Sequence, residues 1–240
     1  MSQLKQPDDI DVADTRRHLL YRVAGISALI TAALILVQMI IFILWPPPIT
    51  AIDYFKLFQD NSLLGFLALD LLYVVDNVLL VPILLALYVA LRRTNVSFMI
   101  VAAALGFVGI AALFASNPAV SMHVLSARYA AAATEAQRSL YMAAGEPMLA
   151  LYAGTAYHLS LILGSIALVV ISVVMLRSRT FTKATAYMGI LSNVLALGLY
   201  VPRIGIYILL FSIIFLWVWY ILVTRSFFRL AQGLSQDVMQ

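Results

Sequence analysis

Two carboxylates stand inside an apolar stretch long enough to cross a bilayer: Asp70 and Asp76, with Asn77 beside them, in residues 62–91, SLLGFLALDLLYVVDNVLLVPILLALYVAL. An ionised carboxylate facing lipid costs at least about 2–3 kcal/mol, so this face must turn toward protein or water. The chemistry such a placement offers is proton or ion coupling, which intramembrane acids mark. At helical spacing Asp70, Tyr73 and Asn77 share a face, while Asp76 is rotated about 100° from Asn77. Asn193, in a later apolar run, completes this candidate intramembrane polar site. The structural reading outweighs the functional one: Asp70 meets water in an outer vestibule, and Asp76 is hydrogen-bonded or held protonated among helices, since desolvation favours the neutral acid.

A second set, Arg138, Glu146, His158 and Arg203, lies in or beside the segments expected on the outer side. Glu146 precedes Pro147, so it is expected to end a helix or to pair with Arg138 or Arg203. The histidines His18, His123 and His158 form neither HExxH nor HxxxH, and only His18 has a possible ligand, Asp14, four residues away. With no cysteine, no GxSxG and no Gly-rich phosphate loop, no catalytic, metal or cofactor-binding constellation is legible.

The elements that must position these residues follow from composition. Hydrophobic residues make up 64% of the 240 and charged ones 11%, and mean hydropathy is +1.00. That balance points to a polytopic membrane protein. Six apolar runs, near 22–45, 63–91, 97–117, 156–176, 184–202 and 205–223, are each long enough to span about 30 Å. The expected fold is therefore all-α: a six-transmembrane-helix bundle over 16–232, with short cytoplasmic tails at 1–15 and 233–240. The net charge of +4 does not imply nucleic acid, because the cations cluster at the ends of apolar runs.

With the N-terminus inside, the cytoplasmic segments hold Lys5, Arg16, Arg17, Arg22, Arg92, Arg93, Arg177, Arg179, Lys183, Arg225 and Arg229. The outer segments hold only Lys56, Arg128, Arg138 and Arg203. This bias puts both termini in the cytoplasm. In the first outer loop AIDYFKLFQD gathers Ala51, Tyr54, Phe55 and Phe58 on one side, predicting an interfacial helix on the outer surface. Residues 119–157 are expected to form an outer helical cap between helices 3 and 4, with Arg128, Glu135 and Arg138 on one face. Ala102, Gly106 and Gly109, Ser160 and Gly164, and Gly189, Asn193 and Ala196 form small-residue stripes suited to close helix approach. Trp217, Trp219 and Tyr220 suit the inner headgroup region. Asp76-Asn77-Val78-Leu79 parallels Ser192-Asn193-Val194-Leu195, a match too short and too biased in alphabet to establish an inverted repeat.

The segments LSARYAAAATEAQRSLYMAAGE, GSIALVVISVVMLRSRTFTKATAYMGILSNVLALG and WYILVTRSFFRL resemble an uncharacterised bacterial membrane family, domain of unknown function 4386. The likeness is strongest after residue 120. It implies a six-helix integral membrane protein and supplies no reaction, ligand or catalytic residue.

The function these readings favour is a non-enzymatic interaction or structural component of the bacterial cytoplasmic membrane. Its expected partners are membrane lipids and a membrane protein or a second copy of the chain, with no cofactor. The alternative is a small-solute or proton-coupled transporter using Asp70, Asp76 and Asn77, and an intramembrane hydrolase ranks third.

Overall fold

The computed structural model describes residues 7–233, with side chains from Arg17 onward. The side chains of Lys5, Asp14 and Arg16 and the C-terminal tail from 234 fall outside the described residues. Among the described residues every regular element is helical. In order they are α1 (Pro7–Leu44), α2 (Ala51–Asp60), α3 (Ser62–Ala68), α4 (Leu71–Leu91), α5 (Val96–Ser116), α6 (Ala119–Ala130), α7 (Glu135–Tyr152), α8 (Thr155–Leu176), α9 (Lys183–Ala196) and α10 (Gly205–Ala231). α1 begins at Pro7, inside the stretch expected as a tail.

Helix boundaries follow local chemistry. Three prolines close α1, and the Thr50 hydroxyl then accepts from the Asp53 N–H at 3.3 Å to start α2. Asn61 starts α3, Asn95 starts α5 and Thr182 starts α9 in the same way. At α7 the cap is reciprocal: Thr134 accepts from the Gln137 N–H, and the Gln137 side chain accepts from the Ala133 N–H.

Five stretches are long and apolar enough to cross a membrane: Arg17–Leu44, Leu71–Leu91, Val96–Ala130, Glu135–Leu176 and Gly205–Ala231. The expected second run, 63–91, is broken at Leu69 and Asp70 into α3 and α4. The expected fifth, 184–202, is a 14-residue α9 followed by a 3-10 turn over Leu197–Tyr200. It is too short in α form to count with the other five.

The chain packs as two compact units. Among the described residues the first comprises 7–33, 79–106 and 165–233. Its core includes Trp219, Phe227, Ile171, Met175, Leu87 and Met99, all fully buried. α9 lies along α10, and the approach is close: a Cβ on Gly189 would fall 2.2 Å from Ser172 Oγ and 2.7 Å from Trp219 Nε1. Trp219 and Tyr220 are therefore core residues in edge-to-face contact at 5.1 Å. The Trp217 indole donates to Ala32 O at 3.0 Å.

The second unit comprises 34–78 and 107–164. Here α2 buries Ala51, Tyr54, Phe55 and Phe58, the face marked by its periodicity. The cover is protein, not lipid, for α3, α6 and α7 pack against α2. Ser126 Oγ on α6 donates to Phe55 O at 2.7 Å, fixing one crossing. Farther along, Gly109 of α5 brings backbones together, since a Cβ there would sit 3.2 Å from Ser160 O and 3.3 Å from Gly164 N on α8.

Candidate functional site

The break between α3 and α4 organises the polar residues of the second unit. Asp70 takes up left-handed backbone, φ 60, a conformation that short polar side chains tolerate better than others do. Interrupting a helix strands carbonyls that must find other donors. Asn117 Nδ2 donates to Leu69 O at 2.7 Å, and the Tyr54 hydroxyl reaches Ala68 O at 3.4 Å. The Tyr152 hydroxyl donates to Asp70 Oδ2 in a short hydrogen bond. Three side chains from three other segments thus converge on residues 68–70.

Burial pushes the Tyr54 hydroxyl up to about 12, with the Asp70 charge adding to the effect. Burial likewise raises Asp70, which precedes the first residue of α4, and the Tyr152 hydrogen bond opposes that shift. Beside Asp70 lies a small open cleft of about 10 Å³ that also touches Gln38, Leu67 and Tyr73, space for roughly one water.

One turn and more into α4, Asp76 and Asn77 are each 7% exposed. Asp76 Oδ2 accepts from Gln38 Nε2 of α1 at 2.6 Å. Asn77 Nδ2 donates back to Tyr73 O at 2.9 Å, within its own helix. Asp70, Tyr73, Asp76 and Asn77 therefore belong to one unit, whereas Asn193 belongs to the other. There Asn193 Nδ2 donates to Gly189 O at 2.8 Å and Ser192 Oγ at 3.1 Å. Asn77 and Asn193 hold the same local bond, each to the carbonyl four residues earlier.

Within the outer-side set, Glu146 departs from its expected role. Arg138 turns to Glu135 at 3.2 Å, in an exposed pair. Arg128 is on α6 and Glu135 on α7, so the three-residue face is interrupted by the turn between those helices. Glu146 neither ends a helix nor pairs with Arg138: α7 continues through Pro147 to Tyr152, and Glu146 Oε1 accepts from the Ala51 N–H at 3.3 Å. That carboxylate sits at the α2 N-terminus, where unsatisfied N–H groups favour an acceptor. The His158 ring meets the Tyr157 ring edge-on at 5.6 Å. Arg203 lies in a turn of the first unit with φ 69. His18 is likewise in that unit, its Nδ1 3.0 Å from Ala231 O, while His123 of the second unit packs 5.3 Å from both Phe58 and Phe66.

No family model, curated protein or solved structure matches this chain. The site is accordingly read from its own geometry. Sequence reasoning missed Gln38, Tyr54, Asn117 and Tyr152, which supply the partners. Gln38 carried a signal, an amide within an apolar run that spans. The other three carried none, because each answers a break that neither glycine nor proline marks.

Chemically, the site offers an acid beside a hydroxyl donor and a water-sized cleft. It can exchange a proton or hold a helix break together.

Proposed function

We propose that this chain is a six-crossing protein of the bacterial cytoplasmic membrane, with both termini inside, acting as a non-enzymatic structural or interaction component. One observation carries the reading: Tyr54, Asn117 and Tyr152 spend their donors on Ala68, Leu69 and Asp70, so the polar residues around the break satisfy the fold itself. A sixth crossing is supported by length. Fourteen α residues and four 3-10 residues together reach about 29 Å, close to the hydrocarbon thickness. The cation bias supports the orientation. Membrane lipids and a second membrane protein or copy are the proposed partners, and the resemblance to domain of unknown function 4386 belongs to the same reading.

The test is transport by purified protein in proteoliposomes. A structural component leaves an imposed pH gradient undisturbed. The second reading, proton-coupled transport, is favoured by the cleft beside Asp70 and by the partly buried Asp76–Gln38 bond. It predicts a gradient-driven flux that Asp76→Asn abolishes while the folded protein persists. Such a flux would replace the structural reading.

A further inference from the structure

We infer that the cation-bearing segments of the first unit form a binding site for anionic phospholipid headgroups. The inference rests on the membrane-spanning reading proposed above. It goes beyond the orientation signal because that signal needs charge alone, whereas these cations are carried by segments that meet on one packed aromatic core.

The segments join on a buried aromatic core. Tyr21 of α1 stacks on Phe227 of α10 at 6.2 Å, and Phe181, from the segment between α8 and α9, meets Phe227 edge-on at 6.2 Å. Phe227 and Phe181 are buried almost completely. Exposed cations flank each of them at two residues on either side: Arg225 and Arg229 about Phe227, Arg179 and Lys183 about Phe181. Arg17, Arg92 and Arg93 also act electrostatically on the Tyr21 hydroxyl, so the end of α4 joins the same cluster. His18 Nδ1, 3.0 Å from Ala231 O, ties α1 to the end of α10.

Among residues 17–233 this unit has no carboxylate to neutralise that charge, for every Asp and Glu there lies in the other unit. The ion pairs among the described residues, Asp53–Lys56 and Glu135–Arg138, are in that other unit too. Guanidinium groups carried by segments that pack about one aromatic core, with no carboxylate among residues 17–233 of the unit, call for an external anion, and phosphate is the one their planar donors match best.

The neighbours select lipid over soluble phosphate. Leu19 and Val23 beside Arg22, Val96 and Phe98 shortly after Arg93, and Tyr187 one turn after Lys183 are all exposed. A ligand with a phosphate head and apolar chains satisfies both sets of groups; a free anion satisfies one.

The test uses the full chain, reconstituted in vesicles of equal phosphatidylglycerol and phosphatidylcholine, extracted in mild detergent and weighed by native mass spectrometry. Phosphatidylglycerol should dominate the retained lipid. Arg225→Gln with Arg229→Gln should lower that preference by about fivefold per cation removed. Arg225→Lys with Arg229→Lys should largely keep it, and Arg128→Gln with Arg138→Gln should leave it unchanged. Equal retention of both lipids, loss of preference in the Arg128 and Arg138 control, or displacement of the lipid by millimolar inorganic phosphate would each overturn the inference. Failure of the protein to float with vesicles would instead sink the membrane reading beneath it.

Discussion

At Asp70 a left-handed residue, a half-buried carboxylate and a hydroxyl donor coincide. Left-handed backbone costs a non-glycine residue about 1–2 kcal/mol, so the surroundings must hold it in place. Tyr152→Phe removes the donor and keeps the ring. It should lower stability by about 1–3 kcal/mol, seen as a fall in the thermal midpoint in detergent. A double-mutant cycle with Asp70→Asn should be clearly non-additive, and additive losses would show that the two side chains do not depend on one another. Tyr54 sets a pH window. Its hydroxyl is raised to about 12 by burial, whereas an exposed tyrosine ionises near 10. Between these values the unfolded chain loses the proton first, so this contribution to stability falls as pH climbs from about 10 to about 12. In Tyr54→Phe the decline over that window should be shallower than in the parent, measured by unfolding across an alkaline series.

The helices illustrate two ways in which an apolar segment is held. α2 is amphipathic, and its buried face sits against α3, α6 and α7. α9 instead depends on a missing side chain. The Cβ of Gly189→Ala would land on Ser172 Oγ and the Trp219 indole, two fully buried groups that must shift to admit it. Overpacking of this kind typically costs about 1–3 kcal/mol. Gly189→Ala should therefore lower the thermal midpoint, and adding Ser172→Ala should restore part of it by removing the nearer of the two obstacles. If Gly189→Ala is neutral, the α9 crossing is looser than the packing indicates. Stripes of small residues, readable in sequence, thus correspond to a close backbone approach at Gly109 and to room for the Ser172 and Trp219 side chains at Gly189.

For the whole chain the decisive quantity is the number of crossings. Six place both termini on one side; five place them on opposite sides. The protein lacks cysteine, so single cysteines can report sidedness without a background to remove. Thr94→Cys, Thr180→Cys and Gln232→Cys should react with a membrane-impermeant maleimide only after the inner face is exposed, and Gln59→Cys and Ala133→Cys should react from outside. Outside labelling at Gln232→Cys together with inside labelling at Thr180→Cys would reduce the count to five.

Periodicity and composition, which are local properties, sufficed for the helical class, for most of the apolar runs, for the buried face of α2 and for the small-residue contacts. They also flagged Asp70, Asp76 and Asn77 as costly groups needing cover. Only the tertiary structure decided what covers them. The α3–α4 break carries no glycine or proline, and its partners Tyr54, Asn117 and Tyr152 stand 14, 48 and 82 residues away along the chain from the groups they bind. Glu146, expected to end its own helix or to pair with Arg138 or Arg203, instead accepts at the start of α2 from an N–H 95 residues away. Such pairings exist only once helices have packed, because a side chain's hydrogen-bond partner is set by what lies across from it and not by what precedes it in sequence.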